Sequence, residues 1–174
     1  MDALDLLEQQ HRDLGELFAR VVAEAAPGRR TALVAQVVRA VEAHSRVEEG
    51  VFYAAVSAQI GGAEARLYEA FEDHALLRFA AVNLLRTRAT DLRFPARLKL
   101  VHNLFRRHAA VEEDWLFPKA KRALHDEALE RIGQEIARAH ASRMAVAPLG
   151  SLPAAPRRLP SPYMSCRPRV SAPI

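Results

Sequence analysis

Thiols are almost absent from this sequence: Cys166 is the one cysteine among 174 residues. That excludes an internal disulfide framework and any multi-cysteine zinc or iron–sulfur site, and it fits a reducing, cytoplasmic setting. Aromatic residues are scarce at 6%, and β-branched residues never run in alternation, so nothing points to strands. No apolar run is long enough to span a membrane. Met1-Asp2-Ala3-Leu4-Asp5 opens an acidic amphipathic pattern, where a signal peptide would show a basic region and then an apolar one.

Half of the residues are apolar, and Ala, Leu, Arg and Glu dominate. The composition predicts an all-α protein with one core of sufficient size to need no staples. The net charge of +4 is unevenly placed. Five of the 25 basic residues and none of the 21 acidic ones lie after His140, leaving the body at 20 against 21. A nucleic-acid-binding core is therefore not expected. Seven of the ten prolines share that end, so residues 141–174 read as a disordered Pro/Arg-rich tail and 1–140 as the folded domain.

Periodicity predicts helices over about 2–26, 31–58, 63–87, 95–117 and 126–138. Pro27-Gly28 ends the first, Thr31 caps the second, Gly61-Gly62 breaks the chain, Pro95 starts the fourth and Pro118 marks a boundary or kink. Inward stripes are Leu7, His11, Leu14 and Phe18; Val34, Val37, Val41, His44, Glu48, Val51 and Ala55; Leu67, Phe71, His74, Leu77 and Ala81; and Val101, Leu104, His108, Val111, Glu112 and Trp115. Ile132 and Ile136 turn a short fifth helix onto the bundle.

His108 and Glu112 are four residues apart, which puts them about 40° apart around a helix and ~6 Å along it, so both reach one point. The segment from His108, H-x-x-V-E-E followed by bulky apolar residues, has an earlier copy at His44-Ser-Arg-Val47-Glu48-Glu49. A second pair of segments also matches, His11-Arg-Asp-Leu14 with His74-Ala-Leu-Leu77, and the offsets are 63 and 64 residues. The chain is thus an internal duplication of a helical hairpin. Two such hairpins predict an up-down-up-down four-helix bundle with two-fold pseudo-symmetry.

That symmetry brings His11, His44, His74, His108, Glu48 and Glu112 to one apolar centre. Each unsatisfied buried polar group costs roughly 1–3 kcal/mol and a lone carboxylate more; metal ions turn these groups into ligands. Four nitrogens and two bridging carboxylates fill about eight of the roughly twelve positions of two six-coordinate ions. A bridging oxide or hydroxide takes two more, which leaves about one open position on each ion. Imidazole with carboxylate and no thiolate suits iron or manganese.

The order His11, His44-x-x-x-Glu48, His74, His108-x-x-x-Glu112, with Glu-Glu and then aromatic residues after each second histidine, resembles the hemerythrin-like (HHE cation-binding) domain family. The resemblance covers about residues 1–140. It implies a non-haem centre of two iron ions, with His11 and His44 on one, His74 and His108 on the other, and Glu48 and Glu112 bridging. The oxygen-carrying hemerythrins place a further histidine one turn after the third-helix ligand, where this chain has Arg78. The chain is similar instead to the four-histidine, two-glutamate branch, which includes iron-centre repair, nitric-oxide-responsive and iron-sensing proteins. Repair proteins usually add a cysteine-containing domain, and none is read in these residues.

Three functions follow: binding or sensing O2, nitric oxide or a related ligand; oxidoreduction of peroxide or nitric oxide with an electron donor; or iron handling. Glu49 and Glu113 read first as solvated or helix-pairing, with a place behind the ligands or as substitute ligands for the alternative. His102, His125 and His140 read as surface residues. Phe52 and Trp115 read as core packing that could also shield the centre or take part in redox chemistry, and Tyr53 offers, as a minor alternative, a hydrogen-bond donor or an oxidisable neighbour.

Overall fold

A computed structural model describes residues 1–145. The expected disorder of the Pro/Arg-rich tail falls almost wholly outside the described residues. The first helix, α1 (Ala3–Ala23), begins at a reciprocal cap. The Asp2 carboxylate accepts from the Leu4 and Asp5 amides at 2.8 and 3.0 Å, and Asp5 accepts from the Asp2 amide at 3.4 Å. Pro27 opens α2 (Pro27–Val47) instead of ending α1, because a fixed φ and a missing N–H suit a first turn. Thr31, expected as a cap, lies inside that turn and its hydroxyl donates to the Pro27 carbonyl at 3.0 Å.

The second rod continues from α2 through a π turn at Glu48–Phe52 into α3 (Tyr53–Ser57). After Gly62, whose φ of 77° is left-handed, comes α4 (Glu64–Leu85). The fourth rod is α5 (Phe94–Val111), a π turn at Glu112–Leu116, and α6 (Phe117–Ala123). Both π turns begin at the motif glutamate. In each, the amide five residues on bonds back to it, Tyr53 to the Glu48 carbonyl and Phe117 to that of Glu112. Pro118 follows the second π turn at the start of α6, so it is a boundary within a continuous rod.

The π turns correct the expected inward stripes. One residue more per turn moves the core-facing position from 51 to 52 and from 115 to 116. Phe52 and Leu116 are buried where Val51 and Trp115 are half-buried, and Val111 is 40% exposed. On α5 the inward residues are Leu98, Val101, Phe105 and His108, with Leu104 only half-buried.

The four rods form an up-down-up-down bundle: α1 pairs with α2 and α4 with α5, closed by an α2–α4 seam and an α1–α5 seam. A fifth helix, α7 (Asp126–Ala145), is longer than expected and lies across α1, α2 and the first π turn. Among the described residues there is no strand, and no helix is long and apolar enough to cross a membrane. Two apolar clusters fill the bundle. One is built on Phe18, Val37, Val41, Leu77, Leu84 and Phe105, the other on Leu7, Phe52, Leu67, Leu116, Leu129 and Ile136. On the first three rods the histidine lies in sequence between the two, and on the fourth His108 sits at the end of the first.

Where α7 crosses the start of α1, a Cβ on Gly133 would stand 2.9 Å from the Asp2 carbonyl carbon and 3.0 Å from the Ala3 nitrogen. Gly133→Val should therefore force the helices apart and lower the unfolding free energy by about 1–3 kcal/mol. A urea midpoint equal to that of the parent protein would contradict this close approach.

Candidate metal centre

His11 on α1, His44 near the end of α2, His74 on α4 and His108 near the end of α5 project into one layer with Glu48 and Glu112. All six are buried, none more than 5% exposed. The imidazoles meet through Nε2 in two pairs, His11 with His44 at 3.2 Å and His74 with His108 at 3.1 Å. Glu48 spans the pairs. Its Oε2 stands 3.3 Å from His44, 3.2 Å from His74 and 3.3 Å from His108, and its Oε1 is 3.8 Å from His11. Glu112 Oε2 also touches both pairs, at 3.3 Å from His11 and 3.2 Å from His108. Ligand atoms of His11, His44, Glu48, His108 and Glu112 all lie within 4.8 Å of one another; His74 joins them through His108 and Glu48.

Behind the imidazoles stand groups that sequence reasoning weighed too lightly. Glu113 accepts from His11 Nδ1 at 2.7 Å, and Glu49 stands 3.2 Å from His74 Nδ1. The second glutamate of each Glu-Glu pair thus braces the first histidine of the opposite hairpin. The available signal was the doubled Glu itself, repeated with its motif. Gln10 holds His44 Nδ1 at 3.0 Å, and nothing in the pattern marked it. Arg78, at the place of a further histidine, is buried and its Nη1 meets Glu49 at 2.5 Å.

Aromatic rings close the layer in the same paired way. Tyr53 stacks on His74 with centroids 5.7 Å apart, and Phe117, its counterpart, stacks on His11 at 5.9 Å. Tyr53, expected as a hydrogen-bond donor only as the minor alternative, is wholly buried and donates its hydroxyl to Glu112 Oε1 at 2.6 Å. Trp115 is apart from the layer, under the Lys119 and Arg66 cations. His125 is exposed, whereas His102 and His140 are half-buried; His102 stacks on Phe18 at 4.8 Å.

Burial would lower His11, but the neighbouring Glu112 and Glu48 carboxylates outweigh it and raise its pKa to about 10. His108 is lifted well above its ordinary value by the same two carboxylates, again against burial. His44 goes the other way, pushed down to about 3 by burial, with the neighbouring His11 and His108 adding to the effect. Burial works against ionised carboxylates too, yet the surrounding imidazoles hold Glu48 well below the usual range and Glu112 below it. Imidazoles and carboxylates thus offset one another's charge across the layer. Even so, Glu48 Oε1 and Oε2 and Glu112 Oε2 have no hydrogen-bond partner. Oxygens left this way in a dry layer, with imidazole nitrogens 3.2 to 3.8 Å off, suit neighbouring ligands of a common ion with bonds of about 2.1 Å.

The family model of the hemerythrin HHE cation-binding domain matches residues 2–120. The crystal structure of a hemerythrin HHE cation-binding domain-containing protein from Mycobacterium kansasii superposes with a TM-score of 0.73. It is 22% identical, and the match covers 83% of this chain and 88% of that one; at this identity the likeness is one of fold. No curated protein matches the chain.

Tyr53→Phe keeps the ring on His74 but takes the donor from Glu112 Oε1. The metal-free protein should lose about 1.5–3 kcal/mol of stability in urea unfolding. An unchanged midpoint would show that this hydroxyl does not support the carboxylate.

Proposed function

The chain belongs to the hemerythrin HHE cation-binding domain family, and on that premise we propose that its buried layer holds two iron ions and binds or senses a small ligand such as O2 or nitric oxide. His11 and His44 would hold one ion and His74 and His108 the other, with Glu48 and Glu112 bridging. The observation that carries this reading is the set of three buried carboxylate oxygens without a protein partner, each facing imidazole nitrogens. The division of the imidazoles into two close pairs, both touched by Glu48 and Glu112, supports two ions over one. Imidazole and carboxylate donors favour iron or manganese over copper(I) or a structural zinc.

Iron bound there supplies redox-active, Lewis-acidic positions open to an exogenous ligand. The chain's own groups set the surroundings. Phe52, Phe105 and Phe117 keep water out, Glu113, Gln10 and Glu49 hold the imidazoles by their Nδ1 atoms, and Tyr53 fixes Glu112. Arg78, engaged with Glu49, supports a site of four histidines and not the five of an oxygen carrier. The wholly buried Tyr53 hydroxyl favours a second reading, an oxidoreductase acting on peroxide or nitric oxide and supplied by an electron donor. A reducing, cytoplasmic setting goes with either.

Loading the protein with ferrous iron without air and titrating with nitric oxide, then separately with O2, tests the first reading. It expects ligand-dependent visible bands that saturate, and their loss in Glu48→Ala and Glu112→Ala. An iron-loaded protein whose spectrum ignores both gases contradicts it, and sustained peroxide or nitric oxide turnover favours the second.

A further inference from the structure

The duplication makes the α2–α4 seam the counterpart of the α1–α5 seam, and the two are built differently. On α2–α4, Arg78 is 3% exposed and lies against Glu49, which Arg46 Nη1 also approaches at 3.6 Å. The Glu49 side chain is 9% exposed. This seam is closed, and its carboxylate is already shared between guanidiniums and His74 Nδ1.

Arg78 follows His74 by one turn, and the residue in that place after His11 is Gly15. A Cβ built on Gly15 meets nothing within 4 Å, and α1 and α5 touch more sparsely than α2 and α4 do. The carboxylate here is Glu113, whose side chain is 42% exposed although it bonds Nδ1 of His11, itself 4% exposed. Among the described residues, Glu113 pairs with His11 alone. One carboxylate is thus both in water and a single imidazole away from the buried layer, since His11 Nε2 stands 3.3 Å from Glu112.

We infer that a hydrated divalent cation reaches the buried layer through the α1–α5 seam beside Gly15, with Glu113 as its first ligand. The inference rests on the metal-binding reading above and goes beyond it, because it assigns a route and a capturing residue outside the six ligands. A carboxylate is the side chain that a hydrated divalent ion meets most favourably, and a negative group at the edge of the sparsely packed seam raises the arrival rate of a cation. Glu49 cannot serve the same purpose from the other side, because Arg78 fills its seam and repels a cation.

Uptake kinetics test this directly. The metal-free full chain is mixed rapidly with excess Co(II), and the fluorescence of Trp115, the sole tryptophan and two residues past Glu113, reports arrival. The initial rate is read, because weaker retention alone does not change it. Gly15→Arg copies the closed seam and should slow uptake by roughly tenfold or more with the same final stoichiometry. Glu113→Gln should also slow it by roughly tenfold, and Glu16→Gln, an exposed charge on α1, should leave the rate as it is. A folded Gly15→Arg protein that fills at the parent rate overturns the route. If that variant does not fold, Glu113→Gln filling at the parent rate overturns it. A parent chain that takes up no metal at equilibrium contradicts the metal-binding reading itself, which separates the two failures.

Discussion

Two carboxylates are held where water does not reach, and the rest of the bundle is arranged around that constraint. An unpaired buried carboxylate costs several kcal/mol, so Glu48 and Glu112 persist only because four imidazoles stand at their level. That requires four rods in register, since a helix slipped by one turn would set its histidine ~5.4 Å off the layer. The apolar clusters on either side keep the register. Glu113, Gln10 and Glu49 accept from the Nδ1 atoms of His11, His44 and His74 and so turn those three Nε2 atoms inward. The two carboxylates raise the pKa values of His11 and His108 and so favour protons there in the metal-free chain, which cations that arrive would displace.

The pseudo-symmetry is close in what supports the layer and broken in what tunes it. Both π turns, both bracing glutamates and both stacked rings have a partner in the other hairpin. The hydroxyl of Tyr53 has none, because Phe117 stands in its place, and so Glu112 is held while Glu48 keeps both oxygens free. Arg78 has Gly15 for its counterpart. Gln10 corresponds to Asp73, which is taken up by Arg107. Each break makes the two halves of one site chemically unequal, a difference that a strictly repeated sequence could not provide.

The bundle and the six converging residues were legible because each rests on a period. Leu7, His11, Leu14 and Phe18 repeat at helical spacing, and the offsets of 63 and 64 residues fix which helices correspond. The π turns were not legible, since a one-residue widening leaves the composition unchanged and shows only when Phe52 and Leu116 replace Val51 and Trp115 inside. The bracing roles of Glu49 and Glu113 stood only as an alternative because a position about 100° past a ligand reads as outward on an isolated helix, while a neighbouring rod places an imidazole there. Gln10 and the Tyr53 hydroxyl have partners 34 and 59 residues away, contacts that no local pattern encodes. Pro27 misled for a simpler reason, because proline punctuates the start of one helix as readily as the end of another.

The central claim is that this layer is a two-iron site, and metal analysis of the chain purified without added metal tests it most directly. The account predicts close to two irons per chain, lost together from Glu48→Ala. One zinc per chain, or protein that folds and stays metal-free in the presence of ferrous iron, would contradict it.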